Sequence, residues 1–283
     1  MVLGVLRQRV ELLPERGVRK VFSRSKSKPS KRKKGILGMK KGFVQTANFR
    51  LLKEAEAQVQ RRGAREAGLV LIQGVYGIGK SELTERWATD NGHVFVRAKE
   101  TWSKRTMLDE LATKMGLSVR GTAVDVQNRI IGHLAVSMQA LIIDEADHLV
   151  DMRSAAKLEA IRDITDMTGT MVFLVGMENL PAVVQRYEHI ASRVARIVQL
   201  QPLTLADVQA TVKAKAEVAI TPALAEQIHR DSKGRMRLVL NAITNIEGWA
   251  QANSWAEVDV AHVKGQALCT DFSGHLAARR RAA

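Results

Sequence analysis

The sequence predicts an α/β fold: a parallel sheet covered on both faces by helices, followed by a small C-terminal all-α lid domain. Three observations predict it. Between residues 69 and 200, short apolar runs alternate with segments whose apolar residues recur at helical spacing. The runs are continuously apolar rather than alternating, the mark of strands buried on both faces. After Pro202 the strand signal disappears and the pattern is helical.

Taken in order, residues 43–62, "FVQTANFRLLKEAEAQVQRR", carry apolar spacing fit for a helix. "LVLIQ" (69–73) is a fully buried strand and "KSELTERWATD" (80–90) a helix. "HVFVRA" (93–98) is a strand, 106–116 a helix ending at Gly116, and 123–138 a longer helix. "ALIID" (140–144) is a second buried strand. A charged amphipathic helix over 154–167 leads to the strand "TMVFLVG" (170–176), and "ARIVQL" (195–200) is the last strand. Four helical segments follow at 203–217, 221–232, 235–253 and 258–268, two of them opened by the capping residues Thr204 and Thr221. The domain boundaries expected are a basic, disordered arm at 1–42, a core at 43–202, a lid at 203–270 and a basic tail at 271–283.

Composition narrows the function classes. The single cysteine, Cys269, excludes an internal disulfide framework and suits a reducing cytoplasm. The longest apolar stretch, 134–143, is too short for a bilayer, and Arg7 interrupts the N-terminus too early for a secretory signal. A cytoplasmic location is the expectation. The formal charge of +15 is concentrated: residues 1–42 hold fourteen Lys and Arg against two Glu, a net +12 that leaves +3 for the rest. A polyanion, nucleic acid before membrane, is the partner such an arm implies.

Residues 74–81, "GVYGIGKS", match G-x-x-x-x-G-K-[ST] where a buried strand turns into a helix. Glycines let successive N–H groups curl around a phosphate, and the helix N-terminus adds partial positive charge. Gly74, Val75, Tyr76, Gly77, Ile78, Gly79, Lys80, Ser81 and Glu82 are therefore expected to bind ATP, with Lys80 on the β- and γ-phosphates and Ser81 on Mg²⁺. In "ALIIDEADHL", Asp144 and Glu145 end an apolar strand; Asp144 is the expected metal-side acid and Glu145 the base that activates water. Asp147 and His148 are expected to cap or pair at the surface, and His148 has no second histidine at ligand spacing.

With "MVFLVGMENL", "SRVARIVQL" and "GRMRLVL" in the same order and spacing, these motifs resemble an AAA+ ATPase. More narrowly, residues 43–267 look like the transposition regulators typified by the phage Mu B and TnsC-type proteins, through "IDEADHL", the short lead-in "FVQTANFR" and the small size. The resemblance implies an arginine presented to a neighbouring subunit's ATP, matched by Arg193 with Arg196 as the alternative, and a second-sensor arginine matched by Arg237. Two departures stand out. Met177 occupies the place of the polar first-sensor residue, so that hydrolysis is slow or Asn179 substitutes for it. The arm replaces the small folded DNA-binding domain of the Mu protein.

The resemblance further implies a homo-oligomer, a head-to-tail ring or helical filament around double-stranded DNA, with a transposase as partner. Lys99, Thr101, Ser103, Lys104 and Arg105 in "RAKETWSKRT", with Arg120 and Thr122 in "SVRGT", are the candidate backbone contacts. No segment has the character of a base-reading helix, so little sequence preference is expected. A helicase-loader or replication-initiator ATPase is the alternative function, and a DNA-coating module with ATP only as ligand is a third.

Overall fold

The computed structural model describes residues 39–40, 42–150 and 154–269; the arm at 1–38, Lys41 and the tail from 270 lie outside the described residues. Five strands form one parallel sheet: β1 Leu69–Gln73, β2 Val94–Arg97, β3 Leu141–Asp144, β4 Val172–Gly176 and β5 Val194–Gln199. Their order is β2-β3-β4-β1-β5. The three central strands are buried along nearly their whole length, whereas the edge strands β2 and β5 are only partly covered. That difference explains why the central three were the plainest apolar runs in the sequence.

Side chains alternate between the two sheet faces. Leu69, Leu71, Leu141, Ile143, Val172 and Leu174 pack on one face with helices α3 (Lys104–Lys114), α4 (Ala123–Ser137) and α5 (Ala156–Thr168). Val70, Ile72, Ile142, Phe173 and Val175 pack on the other with α1 (Ala47–Gln60) and α2 (Lys80–Asn91), where fully buried Trp87 meets Phe173 edge-on at 4.7 Å. α3 begins two residues ahead of the expected start because Ser103 and Thr106 close a reciprocal capping box. Two short helices, α6 (Leu180–Val184) and α7 (Glu188–Ala191), fill the connection from β4 to β5 that the sequence left unassigned.

The parallel arrangement sorts the loops by edge. Gly74, Glu145 and Met177 follow the ends of β1, β3 and β4 and so share the C-terminal edge. Arg193 precedes β5, and its carbonyl accepts the Leu69 N–H at the opposite edge (3.0 Å).

The lid comprises α8 (Leu205–Lys215), α9 (Pro222–Ser232) and α10 (Met236–Asn253) around a core of Val208, Leu224, Ile228, Val239, Ile243 and Ile246. Thr204 and Thr221 cap α8 and α9 through their hydroxyls, as their positions suggested. The expected fourth helix is absent, which corrects the all-helical reading of this region. In its place β7 (Glu257–Val258) pairs in parallel with β6 (Ala219–Ile220), followed by one 3₁₀ turn, Val260–Val263. Asp259 and His262 bond reciprocally around that turn, and Gly265 adopts φ +79° soon after it. Met39 packs on the lid core and the Lys40 N–H donates to the Lys215 carbonyl at 2.8 Å.

Candidate nucleotide site

The loop from Gly74 to Gly79 is shaped by residues that only glycine suits. Gly77 (φ +78°) and Gly79 (φ +93°) are left-handed. A side chain on Gly74 would lie 2.5 Å from Ile78 Cδ1 and 3.1 Å from the Leu200 carbonyl. Lys80 opens α2, and its Nζ donates to the carbonyls of Gly74 (2.7 Å) and Val75 (3.1 Å), with Met177 Sδ at 3.7 Å. Burial pulls the ammonium pKa down from its ordinary value, and Glu145 and then Asp144 oppose that shift.

A cleft of about 310 Å³ opens beside this loop. Tyr76, Gly77, Gly79, Lys80, Ser81 and Glu82 line one side, Glu145 and Met177 a second, and Met236, Arg237 and Leu240 of the lid a third. A larger cavity, about 580 Å³, lies within the lid, but no phosphate-loop residue lines it.

The two acids differ in environment. Asp144 is 1% exposed and accepts Arg97 Nε at 3.2 Å; it stands behind the cleft rather than in its lining. Glu145 is exposed, lines the cleft and takes a left-handed backbone (φ +54°, ψ +38°), an uncommon conformation for a residue with a side chain. Asp147 departs from the expected surface role. It is half-buried, and its Oδ2 accepts the Met177 N–H at 2.8 Å, tying the end of β3 to the end of β4. Met177, just after β4, lines the cleft, while Asn179 is exposed and lines a separate cavity with Asp147 and Tyr187.

The lid meets the loop directly. The Arg237 N–H donates to the Gly77 carbonyl at 2.9 Å, and Arg235 Nη1 donates to the Tyr76 hydroxyl at 2.8 Å. Lys215 of α8 pairs with Glu82 of α2 at 3.6 Å. Sequence reasoning missed Arg97, Arg235, Met236 and Leu240. Arg235 alone carried a signal, as the other arginine of "GRMR".

Residues expected to act on other molecules lie elsewhere. Arg193 binds both carboxylate oxygens of Asp166 (2.9 and 3.2 Å), and that hydrogen bond raises its pKa above the ordinary value. Arg196 is exposed on β5. Among the candidate DNA contacts, Ser103 and Thr122 are helix caps and Lys99 pairs with Glu110 at 2.7 Å. Arg105 chelates Asp109 and bonds the carbonyls of Val119 and Gly121, which brings the two loops together. Thr101, Lys104 and Arg120 are exposed, and none of their side chains enters a hydrogen bond or ion pair among the described residues.

The donor set fits a nucleoside triphosphate: an ammonium, a hydroxyl, a guanidinium and the N-terminus of a twelve-residue helix surround one cleft whose glycines leave room for phosphates. Among the described residues no group of three or more His, Cys, Asp or Glu could hold a metal. Ser81 with Asp144 behind it nevertheless suits Mg²⁺, which takes one or two protein ligands and otherwise phosphate oxygens and water.

Residues 61–184 match the family described as AAA domain. No curated protein matches the chain by sequence. Among solved structures the chain is similar to the Aeropyrum pernix ORC2 protein in ADPNP and ADP complexes, at 19% identity and TM-score 0.57, over 74% of this chain and 65% of that one. It is also similar to Cdc6p from Pyrobaculum aerophilum (15%, 0.58, 76% and 64%). A third likeness is to the Thermotoga maritima RuvB Holliday junction branch migration motor (18%, 0.53, 77% and 67%). The chain thus spans slightly under two thirds of the first two proteins, and at these identities the likeness is one of fold. Residues 61–184 thus match an AAA domain, and the chain has the α/β P-loop fold of the AAA+ type.

Proposed function

We propose that this protein is an ATP-dependent, largely sequence-nonspecific DNA-binding ATPase that assembles head to tail on duplex DNA and there recruits and stimulates a transposase. The observation that carries the ATPase reading is the cleft itself, where Lys80, Ser81, Glu145 and Arg237 converge from three elements on one space. Lys80 neutralises the terminal phosphates, Glu145 orients and deprotonates water, and Arg237 brings a lid-borne cation to the same place. Bound Mg²⁺, held by Ser81 with Asp144 behind it, would withdraw charge from the phosphates. Arg193 sits at the far edge of the sheet, so it would complete a neighbour's site, a heterologous contact that generates rings or filaments. Asn179 remains the candidate substitute for the sensor place that Met177 fills.

The DNA reading rests on the exposed Thr101, Lys104 and Arg120 around the loops joined by Arg105, and on the basic arm. The transposase partner rests on the sequence resemblance alone. A second reading, a replication-initiator or helicase-loader ATPase, is favoured by the names of the structurally similar proteins: ORC2, Cdc6p and the Thermotoga maritima replication initiation protein DnaA.

Electron microscopy with duplex DNA and a non-hydrolysable ATP analogue tests the assembly. ATP-dependent filaments that Lys80→Ala abolishes and Glu145→Gln preserves are expected, with hydrolysis lost in both. Monomers on DNA with nucleotide bound would defeat the proposal. Stimulation of a transposase separates the first reading from the second, for which a preference for single strands and a bound replicative helicase are the signatures.

A further inference from the structure

The contact between Tyr76 and Arg235 is not required by the phosphate-loop pattern, which leaves position 76 open. The Arg235 guanidinium lies 4.3 Å from the centre of the Tyr76 ring, and its Nη1 donates to the hydroxyl at 2.8 Å. Tyr76 is 56% exposed, so the ring does not stand there to fill a core. Arg235 is the N-cap of α10, an eighteen-residue helix, and no side chain caps that terminus. A cation is disfavoured at such an end, so its position needs a compensating partner, and the electron-rich face of Tyr76 is one.

The neighbouring residues make the contact mechanically consequential. On one side, Gly234 (φ +67°) is pressed against the linker between β5 and α8, residues 200–204: the Leu203 N–H donates to its carbonyl at 2.8 Å, and an added Cβ would meet Leu203 backbone at 2.7 Å. On the other side, the Arg237 N–H holds the Gly77 carbonyl, and Met236 Cβ stands 3.5 Å from where a side chain on Gly79 would begin. Residues 234–237 are therefore pinned between the linker and the apex of the phosphate loop. Any rotation that carries Arg237 away from the cleft must break the Tyr76–Arg235 contact.

We propose that Tyr76 and Arg235 form a clasp that fixes the lid to the phosphate loop and sets the residence time of the bound nucleotide. Both are positioning residues: they hold Arg237 over the cleft and need not touch the reacting atoms. The proposal rests on the nucleotide-binding reading above and adds to it the step that limits release.

The test is stopped-flow displacement of a fluorescent ATP analogue with Mg²⁺ from the full chain by excess ATP. Tyr76→Ala and Arg235→Ala should each speed dissociation about tenfold, the value expected for losing one cation–π contact and one hydrogen bond together. The double variant should be no faster than either single, because both remove the same contact. Tyr76→Phe, which keeps the ring and loses the hydroxyl, should fall between wild type and Tyr76→Ala. Association rates should stay at the wild-type value, the nucleotide-free melting temperature should fall by about 3–6 °C because the contact is present without nucleotide, and in steady state Arg235→Ala should raise KM. Dissociation within twofold of wild type in both single variants overturns the clasp, as does a double variant about a hundredfold faster. Wild type that fails to bind the analogue overturns the nucleotide reading instead, so the two failures are distinguishable.

Discussion

Asp207 offers the sharpest stability prediction, because one carboxylate serves two helix N-termini. It is 7% exposed and lies in the first turn of α8, where Oδ2 accepts the Thr204 N–H (3.1 Å) and hydroxyl (2.8 Å) in a reciprocal capping box. Its Oδ1 accepts the N–H of Ala47, the first residue of α1, 160 positions away (3.0 Å). Thr46, the N-cap of α1, supplies no capping hydrogen bond of its own, so Asp207 takes over that task. Asp207→Ala removes three hydrogen bonds worth about 1 kcal/mol each and leaves a helix N–H unpartnered, for a total of about 3 kcal/mol. In a domain of this size that lowers the melting temperature by about 6–12 °C. In urea it moves the midpoint down by about 1 M, taking a slope near 3 kcal/mol/M. Asp207→Asn keeps one acceptor and should lose about half as much. Circular dichroism during heating and urea titration reads both. A loss below about 0.5 kcal/mol in Asp207→Ala, the range of ordinary surface changes, would mean that water serves these termini equally well and that the carboxylate joins nothing.

Three further outcomes follow from the site. Gly79→Ala should cost about 1–3 kcal/mol and abolish ATP binding; the nearest lid atom, at 3.5 Å, permits a methyl group, so the cost is the φ of +93°. Urea titration that finds it neutral would show the loop relaxing to another conformation. Asp147→Ala strands the Met177 N–H and should cost about 2 kcal/mol, with Asp147→Asn recovering part of it; equal losses in the two variants would count against an acceptor role. His93 gives a pH dependence. Burial lowers its pKa below the ordinary 6.5, although Glu56, 3.8 Å away, opposes the shift. The unfolded chain thus takes up the proton more readily than the folded one. The stabilisation is complete above about pH 6.5 and declines as the pH falls toward the folded value. Melting temperatures from pH 8 to 5 should show a steeper acid loss in wild type than in His93→Gln, and parallel curves would remove His93 as the cause.

Much of the fold was legible because its signals are local. β1 occupies 69–73 as expected, and the five long core helices α1 to α5 carried their apolar spacing or cap in their own residues, whereas the five- and four-residue α6 and α7 did not. The lid strands were not legible: Ala219–Ile220 and Glu257–Val258 are two residues each, and nothing within four residues of sequence distinguishes them from a helix end. The same holds for the site. Tyr76, Gly77, Gly79, Lys80, Ser81, Glu82, Glu145 and Arg237 were found because each sits in a recognisable motif, and they line one cleft; Gly74, Val75 and Ile78 of the same motif do not. Arg97 beside Asp144, Asp166 beside Arg193 and Asp147 beside the Met177 N–H are pairings across 47, 27 and 30 positions. Such pairings are set by strand order, and strand order is not written in any one segment. For the candidate DNA contacts the local signal has two readings. Hydroxyls and cations in a loop suggested phosphate contacts, yet Ser103, Arg105 and Thr122 already bond their own backbone.

Strand direction also constrains how the proposed assembly could work. In a parallel sheet every strand ends at one edge, so Gly74, Glu145 and Met177 share that edge, and Arg193, which precedes a strand, does not. A strand of five residues separates the two edges by roughly 15 Å, beyond the reach of one side chain. Arg193 therefore does not complete the cleft of its own protomer. Its ion pair with Asp166 has an additional consequence for that scheme. The carboxylate keeps the guanidinium oriented but also neutralises it, so a neighbour's phosphate must outcompete Asp166 for the same Nε donor. Asp166 is then either a guide or a brake: Asp166→Asn would slow DNA-stimulated hydrolysis in the first case and speed it in the second. In a chain whose Arg193 faces no triphosphate, neither change should occur.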